Sequence, residues 1–261
     1  MLDFANKVLA SRGTSVFSTG QAGFIIKSKR GHLLAIDLYL SNCVERVEGN
    51  AGFKRLLPQI LHANDLKFEA IICTHPHLDH FDIDSIPEMM SNGQSQLFCS
   101  VNCRQLVDQL QMNYFEDRIK YVKPGETVAV SDFVIDFVKC DHGTGAPDAV
   151  GVIVKVDGKT IYETGDTCLR LDWIDKISRP LDVLIAPING AYGNLNEEDC
   201  TVLAENLKAG ITIPCHYGMF ASHHGDIGKF YDRMVEKELP FLIMQQGEQY
   251  KLAESERGEE E

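Results

Sequence analysis

Ile71-Ile72-Cys73-Thr74-His75-Pro76-His77-Leu78-Asp79-His80 places four metal-ligand side chains within six residues, directly after an apolar run that reads as a buried strand. At this composition the pattern His-x-His-x-Asp-His arises by chance on the order of 10⁻³ times per chain, so accident explains it poorly. His75 and His77, two apart in an extended segment, project to the same side and can share one metal. Asp79 and His80, past the following bend, can reach a second. A lone histidine is ordinarily a packed or loop-capping residue. Several inward-facing neutral imidazoles beside a carboxylate are different, because they lack partners unless a cation organises them.

Working outward, the chain alternates strand and helix patterns. Towards the N-terminus, residues 15–17, 23–28 and 33–38 are rich in β-branched and aromatic residues and separated by glycine-containing turns, which predicts a small antiparallel meander. A helix over 53–63 follows, then a strand over 68–73 leading into the histidines. Next come a helix over 83–90, a strand over 96–100 and a helix over 103–111. The middle is β-rich, with strands over 119–122, 128–139, 150–156 and 160–163, the last two joined at the tight-turn pair Asp157-Gly158. Helices are expected over 172–177, 197–208 and 227–237, alternating with short strands over 183–186, 212–214 and 241–244. Asn196 and Asp226 stand where helix N-caps belong. Two β-rich sections, each followed by helices, fit two packed sheets with helices outside.

The chain has 261 residues, 44% of them hydrophobic, enough for a substantial core. No long linker or fixed-period repeat interrupts it, so one domain over 1–252 is the simplest organisation, followed by an acidic tail (253–261) expected to be disordered. Net charge is −13; the last nine residues carry five Glu and one Arg, leaving −9 on the body. Such a body repels nucleic acid and anionic membranes, which points to a small-molecule substrate. No apolar run approaches the roughly 18 residues of a membrane span, and the amphipathic opening lacks the layout of a secretion signal. A cytoplasmic protein is expected, with homo-oligomer formation left open. Eight cysteines without a C-x-x-C pair suit buried reduced thiols better than a disulfide framework.

Further ligands should sit at strand ends. His142, Asp166 and His216 each close an apolar strand. Taken with His75-x-His77-x-Asp79-His80 and Thr164-Gly165-Asp166-Thr167, these residues resemble, in order and type, the five motifs of the metallo-β-lactamase-fold hydrolases. Ile36-Asp37-Leu38-Tyr39-Leu40-Ser41 and Ile213-Pro214-Cys215-His216-Tyr217-Gly218-Met219-Phe220-Ala221 are similar to the branch containing L-ascorbate-6-phosphate lactonase. The resemblance spans almost the whole chain and implies an α/β (α+β) fold, a four-layer αββα sandwich with two divalent metal ions in a groove between the sheet edges. It implies that His75, His77 and His142 hold one ion, that Asp79, His80 and His216 hold the other, and that Asp166 bridges them. Asp37 falls where the family keeps a carboxylate behind a ligating imidazole.

Paired divalent ions lower the pKa of a bridging water toward neutrality and polarise a carbonyl, so no serine or cysteine nucleophile is needed. The expected reaction is hydrolysis of a small carbohydrate lactone or related ester, phosphorylated or not, with Asp79 and His216 as catalytic residues and Asp79 shuttling the proton. Zinc suits the imidazoles, whereas manganese suits the carboxylates and is implied by the lactonase resemblance. A phosphodiesterase or nuclease of the same superfamily is the alternative, disfavoured by the acidic body and the lack of a basic stripe. A phosphate would need local positive charge, for which Arg170 is the candidate. Tyr217 is a candidate hydrogen-bond donor into the groove, and His223 and His224 are candidate substrate contacts. The glycine-rich loop Ala186-Pro187-Ile188-Asn189-Gly190-Ala191-Tyr192-Gly193-Asn194 is expected near the groove, as the resemblance implies.

Overall fold

A computed structural model describes residues 2–253, so the expected tail lies outside the described residues apart from Ala253. The predicted meander is present: β1 (Ser15–Gly20), β2 (Gly23–Lys27) and β3 (Leu33–Ile36) pair antiparallel. The strand entering the histidine motif, β4 (Ala70–Cys73), joins β3 in parallel, followed by β5 (Gln96–Ser100) and β6 (Ile119–Val122). The second sheet runs through β7 (Thr127–Val130), β8 (Phe133–Lys139), β9 (Val150–Val156), β10 (Lys159–Glu163), β11 (Val183–Pro187) and β12 (Ile211–Cys215). The late strand β13 (Gln249–Lys251) returns to the first sheet and pairs with β1, giving the order β13-β1-β2-β3-β4-β5-β6.

Side-chain alternation explains the layering, because successive residues of a strand face opposite sides. Ala70 and Ile72 of β4 and Phe24 and Ile26 of β2 point between the sheets, where they meet Ile135 and Phe137 of β8 and Val183 and Ile185 of β11. Ile71 and Ile25 point outward onto α1 (Leu2–Ala10) and α3 (Ser85–Ser91). On the other side, Leu184 and Ala186 face α5 (Glu197–Leu207) and α6 (Ile227–Glu236). β2, β4 and β11 are buried on both faces, which is why they read as nearly continuous apolar runs, whereas β8 alternates buried and more exposed positions. The result is the expected αββα sandwich. Lys27 is buried, and its ammonium donates to the carbonyls of Val8, Leu9 and Ser11, closing the C-terminus of α1 against the sheet.

Local signals held where they had a mechanism. Asp157 and Gly158 both have positive φ, as the hairpin between β9 and β10 requires. Asn196 and Asp199 form a reciprocal capping box on α5, and the Asp226 carboxylate accepts from the Gly228 and Lys229 amides at the start of α6.

Five readings need correction. No helix forms over 53–63: Pro58 lacks a donor and disfavours the helical conformation of Leu57, so only a 3₁₀ turn at Ala51–Phe53 appears. The helix in that region is instead α2 (Cys43–Glu48), stopped by Gly49 in the left-handed conformation. The single strand expected over 128–139 is two, β7 and β8, turned back at Ser131, which has positive φ. Residues 241–244 do not form a strand; Thr212 at the edge of β12 exchanges one pair of bonds with Pro240 and Leu242 and the pairing stops. Two predicted helices are shorter or tighter: α4 covers Arg104–Gln109, and Leu171–Lys176 is 3₁₀. All eight cysteines are free, seven of them buried. Among the described residues no helix is long and apolar enough to cross a membrane.

Candidate metal centre

Every predicted ligand sits just beyond the C-terminal end of a strand. The loop after β4 carries His75, His77, Asp79 and His80; His142 follows β8, Asp166 follows β10 and His216 directly follows β12. Glycine is required at position 165, where φ is +64° and a Cβ would lie 2.8 Å from the Val150 carbonyl oxygen. That tight turn swings Asp166 inward from β10.

Two ligand sets result. His75, His77 and His142 converge, with His77 Nδ1 2.9 Å from His75 Nε2 and 3.0 Å from His142 Nε2. Asp79, His80 and His216 form the second set, with His80 Nε2 3.1 Å from His216 Nε2 and 3.7 Å from Asp79 Oδ2. Asp166 lies between them. Its Oδ2 is 3.5 Å from His80 Nε2, 3.8 Å from His142 Nε2 and 4.0 Å from His75 Nε2, and its Oδ1 is 2.8 Å from His216 Nε2.

The donor set fits divalent cations. Three ring nitrogens meeting at one point cannot all be satisfied by one another's protons, since each neutral imidazole carries a single N–H. Nitrogens about 2.0–2.1 Å from a shared tetrahedral ion have separations of this order. Burial holds His75, His77 and His142 below the usual histidine range, His142 at about 4, so these rings are neutral and in the ligating form at neutral pH. Burial opposes charge on Asp79 and Asp166 too, but the neighbouring His80 and His216 outweigh it and keep both carboxyls ionised. The same carboxylates, with Asp37, overcome burial at His80 and raise its pKa well above normal.

Asp37 stands behind this site, fully buried at the end of β3 with positive φ. Its carboxylate accepts from His80 Nδ1 at 2.6 Å, from the Thr74 amide at 2.8 Å and from the Thr74 hydroxyl at 2.6 Å. That fixes His80 Nδ1 as the protonated nitrogen and turns Nε2 toward the centre. Asp37 also lies close enough to His75 and His80 to form a third compact His/Asp group.

Two residues at the centre were not anticipated. Gln21, in the β1–β2 turn, donates to Asp79 Oδ2 at 2.9 Å and faces His216 Nδ1 at 3.0 Å. Asn194 donates to Asp166 Oδ2 at 2.8 Å and to Asn189 Oδ1 at 3.0 Å. Asn194 belongs to the glycine-rich loop singled out from sequence; Gln21 carries no sequence signal beyond its turn.

A cavity of about 290 Å³ opens in front of the centre, lined on the metal side by His77, Asp79, His142, Asp166 and His216. Of the four substrate candidates only His223 lines it. Arg170 does not: its guanidinium pairs with Asp141 and Asp172 and stacks on Trp173, beside a different depression. Tyr217 turns away and donates to the Met244 carbonyl. The His224 ring is exposed, with Nδ1 3.1 Å from the Ala221 carbonyl oxygen, and is not among the lining residues.

Comparison with known proteins agrees with this geometry. Residues 39–217 match the model of the β-lactamase superfamily domain, and the chain belongs to that family. It is 28% identical over 214 residues to a UPF0173 metal-dependent hydrolase of Staphylococcus epidermidis, covering 75% of this chain and 91% of that one. A UPF0173 metal-dependent hydrolase of Methanosphaera stadtmanae is 27% identical over 239 residues, with 84% and 90% covered. Among solved structures, Igni18, a metallo hydrolase from Ignicoccus hospitalis, superposes with a TM-score of 0.70 at 21% identity, covering 92% of this chain and 99% of that one. The fold is the metallo-β-lactamase fold.

Proposed function

We propose that this chain is a metal-dependent hydrolase that opens an ester or lactone bond at a two-cation centre. The observation that carries the reading is the position of Asp166, whose two oxygens face both ligand sets. His75, His77 and His142 would hold one cation, Asp79, His80 and His216 the other, with Asp166 shared; zinc and manganese both suit this mixture of imidazole and carboxylate. When bound, such cations supply Lewis acidity, lowering the pKa of water and polarising a carbonyl.

The chain's own residues supply the rest. Asp79 is ionised and reaches the cavity, so it can take a proton from the attacking water and return it to the leaving oxygen. Gln21 holds Asp79 Oδ2 and Asn194 holds Asp166 Oδ2 in place. Hydrolysis at carbon is supported by the resemblance to the lactonase branch, and the relatives' description as metal-dependent hydrolases supports the reaction class.

Elemental analysis and turnover on a panel of esters and lactones test this. Two divalent ions per chain with metal-dependent hydrolysis are expected, and His77→Ala or Asp166→Ala should lose both ion and turnover. Retention of full metal content and activity in those variants refutes it.

A further inference from the structure

We propose that the cavity in front of the metal centre is a subsite for the uncharged, planar apolar portion of the substrate, and that it turns away phosphate. This rests on the ester- or lactone-hydrolase reading above. The first support is a run of aromatic rings assembled from four separate segments. Tyr39, after β3, lies 5.5 Å from Phe220; Phe220 meets Phe53 edge-on at 5.7 Å; Phe53 stacks on His223 at 5.9 Å and 17°; and Tyr192 closes the run at 4.6 Å from His223. Phe53, Phe220, Tyr192 and His223 line the cavity, as do Val44 and Leu78. Tyr192 and His223 stay exposed. Exposed stacked rings at a cavity mouth offer faces onto which a flat apolar group can slide.

The second support is charge. Among the described residues lining the cavity there is no Lys and no Arg. The ionic groups are Asp79 and Asp166 at the centre and Glu48 at the mouth, so a group remote from the metals meets no positive partner and one negative one. Arg55 is committed elsewhere: it stacks on the Tyr39 ring and donates to the carbonyls of Tyr39 and Ser41. Arg170 is held by two carboxylates outside the cavity. A phosphate dianion requires charge-assisted donors to offset its desolvation, and none is supplied. The cavity's 290 Å³ is at the small end of ligand sites, which suits a compact aryl group rather than a long chain.

Substrate choice then reads as a division of labour. The carbonyl end is drawn to the centre, and the remainder of the molecule is selected by ring stacking at Phe53, Tyr192 and His223. Water adds to the carbonyl carbon, the acyl carbon–oxygen bond breaks, and its electron pair leaves on the alcohol oxygen, which takes the proton carried by Asp79. For an ester the products are a carboxylate, whose acid proton passes to solvent, and an uncharged aryl or apolar alcohol; for a lactone both groups stay on one chain.

The test uses full-length, metal-loaded protein and two readouts. Equilibrium binding of 2-naphthol, followed by its fluorescence, should weaken about tenfold in Tyr192→Ala and in Phe53→Ala, and recover in part in Phe53→Leu, which keeps apolar bulk. Turnover should favour 2-naphthyl acetate over δ-gluconolactone 6-phosphate at least about tenfold in kcat/KM, with the variants raising KM more than they lower kcat. Tyr192 is exposed, so its removal leaves the core intact. Preference for the phosphorylated lactone, or 2-naphthol binding indifferent to both alanine variants, overturns the proposal. Ring-dependent 2-naphthol binding without turnover of any ester or lactone would sustain the subsite and overturn the hydrolase reading.

Discussion

Replacing Asp37 by Asn changes one atom yet should disable the second cation site. The carboxylate accepts three hydrogen bonds within 2.8 Å, from His80 Nδ1, the Thr74 amide and the Thr74 hydroxyl, in a fully buried position. In Asp37→Asn the amide oxygen can keep the Thr74 amide, but the new NH₂ group then faces His80 Nδ1, donor against donor. His80 escapes by shifting its proton to Nε2, the atom aimed at the ligand set, and that proton blocks coordination. Losing such support behind a ligating histidine costs roughly 10–100-fold in metal affinity, or about 1.4–2.7 kcal/mol. Asp37→Ala is the poorer choice, because it leaves three buried donors unpaired at about 1–3 kcal/mol each, comparable to the whole stability of a domain. Competition of the purified Asn variant against a chromophoric chelator measures affinity, and a thermal melt checks that the fold survives. The expected result is one cation retained and one weakened, with hydrolysis lost in proportion. Two cations bound at unchanged affinity would refute the role given to Asp37.

Arg170→Ala should leave kcat/KM for esters and lactones unchanged, since the guanidinium is occupied by Asp141 and Asp172 away from the cavity; a large rise in KM would show otherwise. Gly165→Ala should lower the melting temperature and the metal content together, because a Cβ 2.8 Å from the Val150 oxygen at φ +64° costs about 1–3 kcal/mol and displaces Asp166. In metal-free protein, His142 sits at about 4 against an ordinary 6.5, so between those values the unfolded chain takes up a proton that the folded ring refuses. Its contribution is present above pH 6.5 and is lost as pH falls toward 4; urea melts at pH 5 and pH 7 should show a flatter slope in His142→Gln. Chelation should abolish turnover and lower the melting temperature with the logarithm of the free cation concentration, and re-addition should restore both.

The layers were legible because burial on both faces writes itself into the strands: Ala70-Ile71-Ile72-Cys73 has no polar position to mistake. The convergence of the candidate ligands was legible for a related reason. Imidazoles and carboxylates immediately after apolar strands have few other uses at that density. What failed depended on context outside the local pattern. The helix over 53–63 had apolar spacing but also Pro58, and the backbone restriction prevailed. β13 is three residues long and exists because β1 presents an unpaired edge. Arg170 was four residues from Asp166 in the chain, yet the 3₁₀ turn at Leu171–Lys176 and the pull of Asp141 carry it out of the cavity. Gln21 reaches the centre through a two-residue turn between β1 and β2, a proximity that sequence spacing of 58 residues from Asp79 does not reveal.

Each ligand set draws two members from the loop after β4 in one sheet and its third from a strand end of the other, His142 or His216. Cations held by these sets would act as rivets at one mouth of the sandwich. Their binding energy would be tied to keeping the two layers in register, and the layers' own apolar contact would set how accurately the rivet holes line up. Stripping the ions should let that mouth breathe while the opposite end stays shut, so amide exchange would quicken first at the strand ends bearing His75, His142 and His216 and last in the interior of β2 and β9.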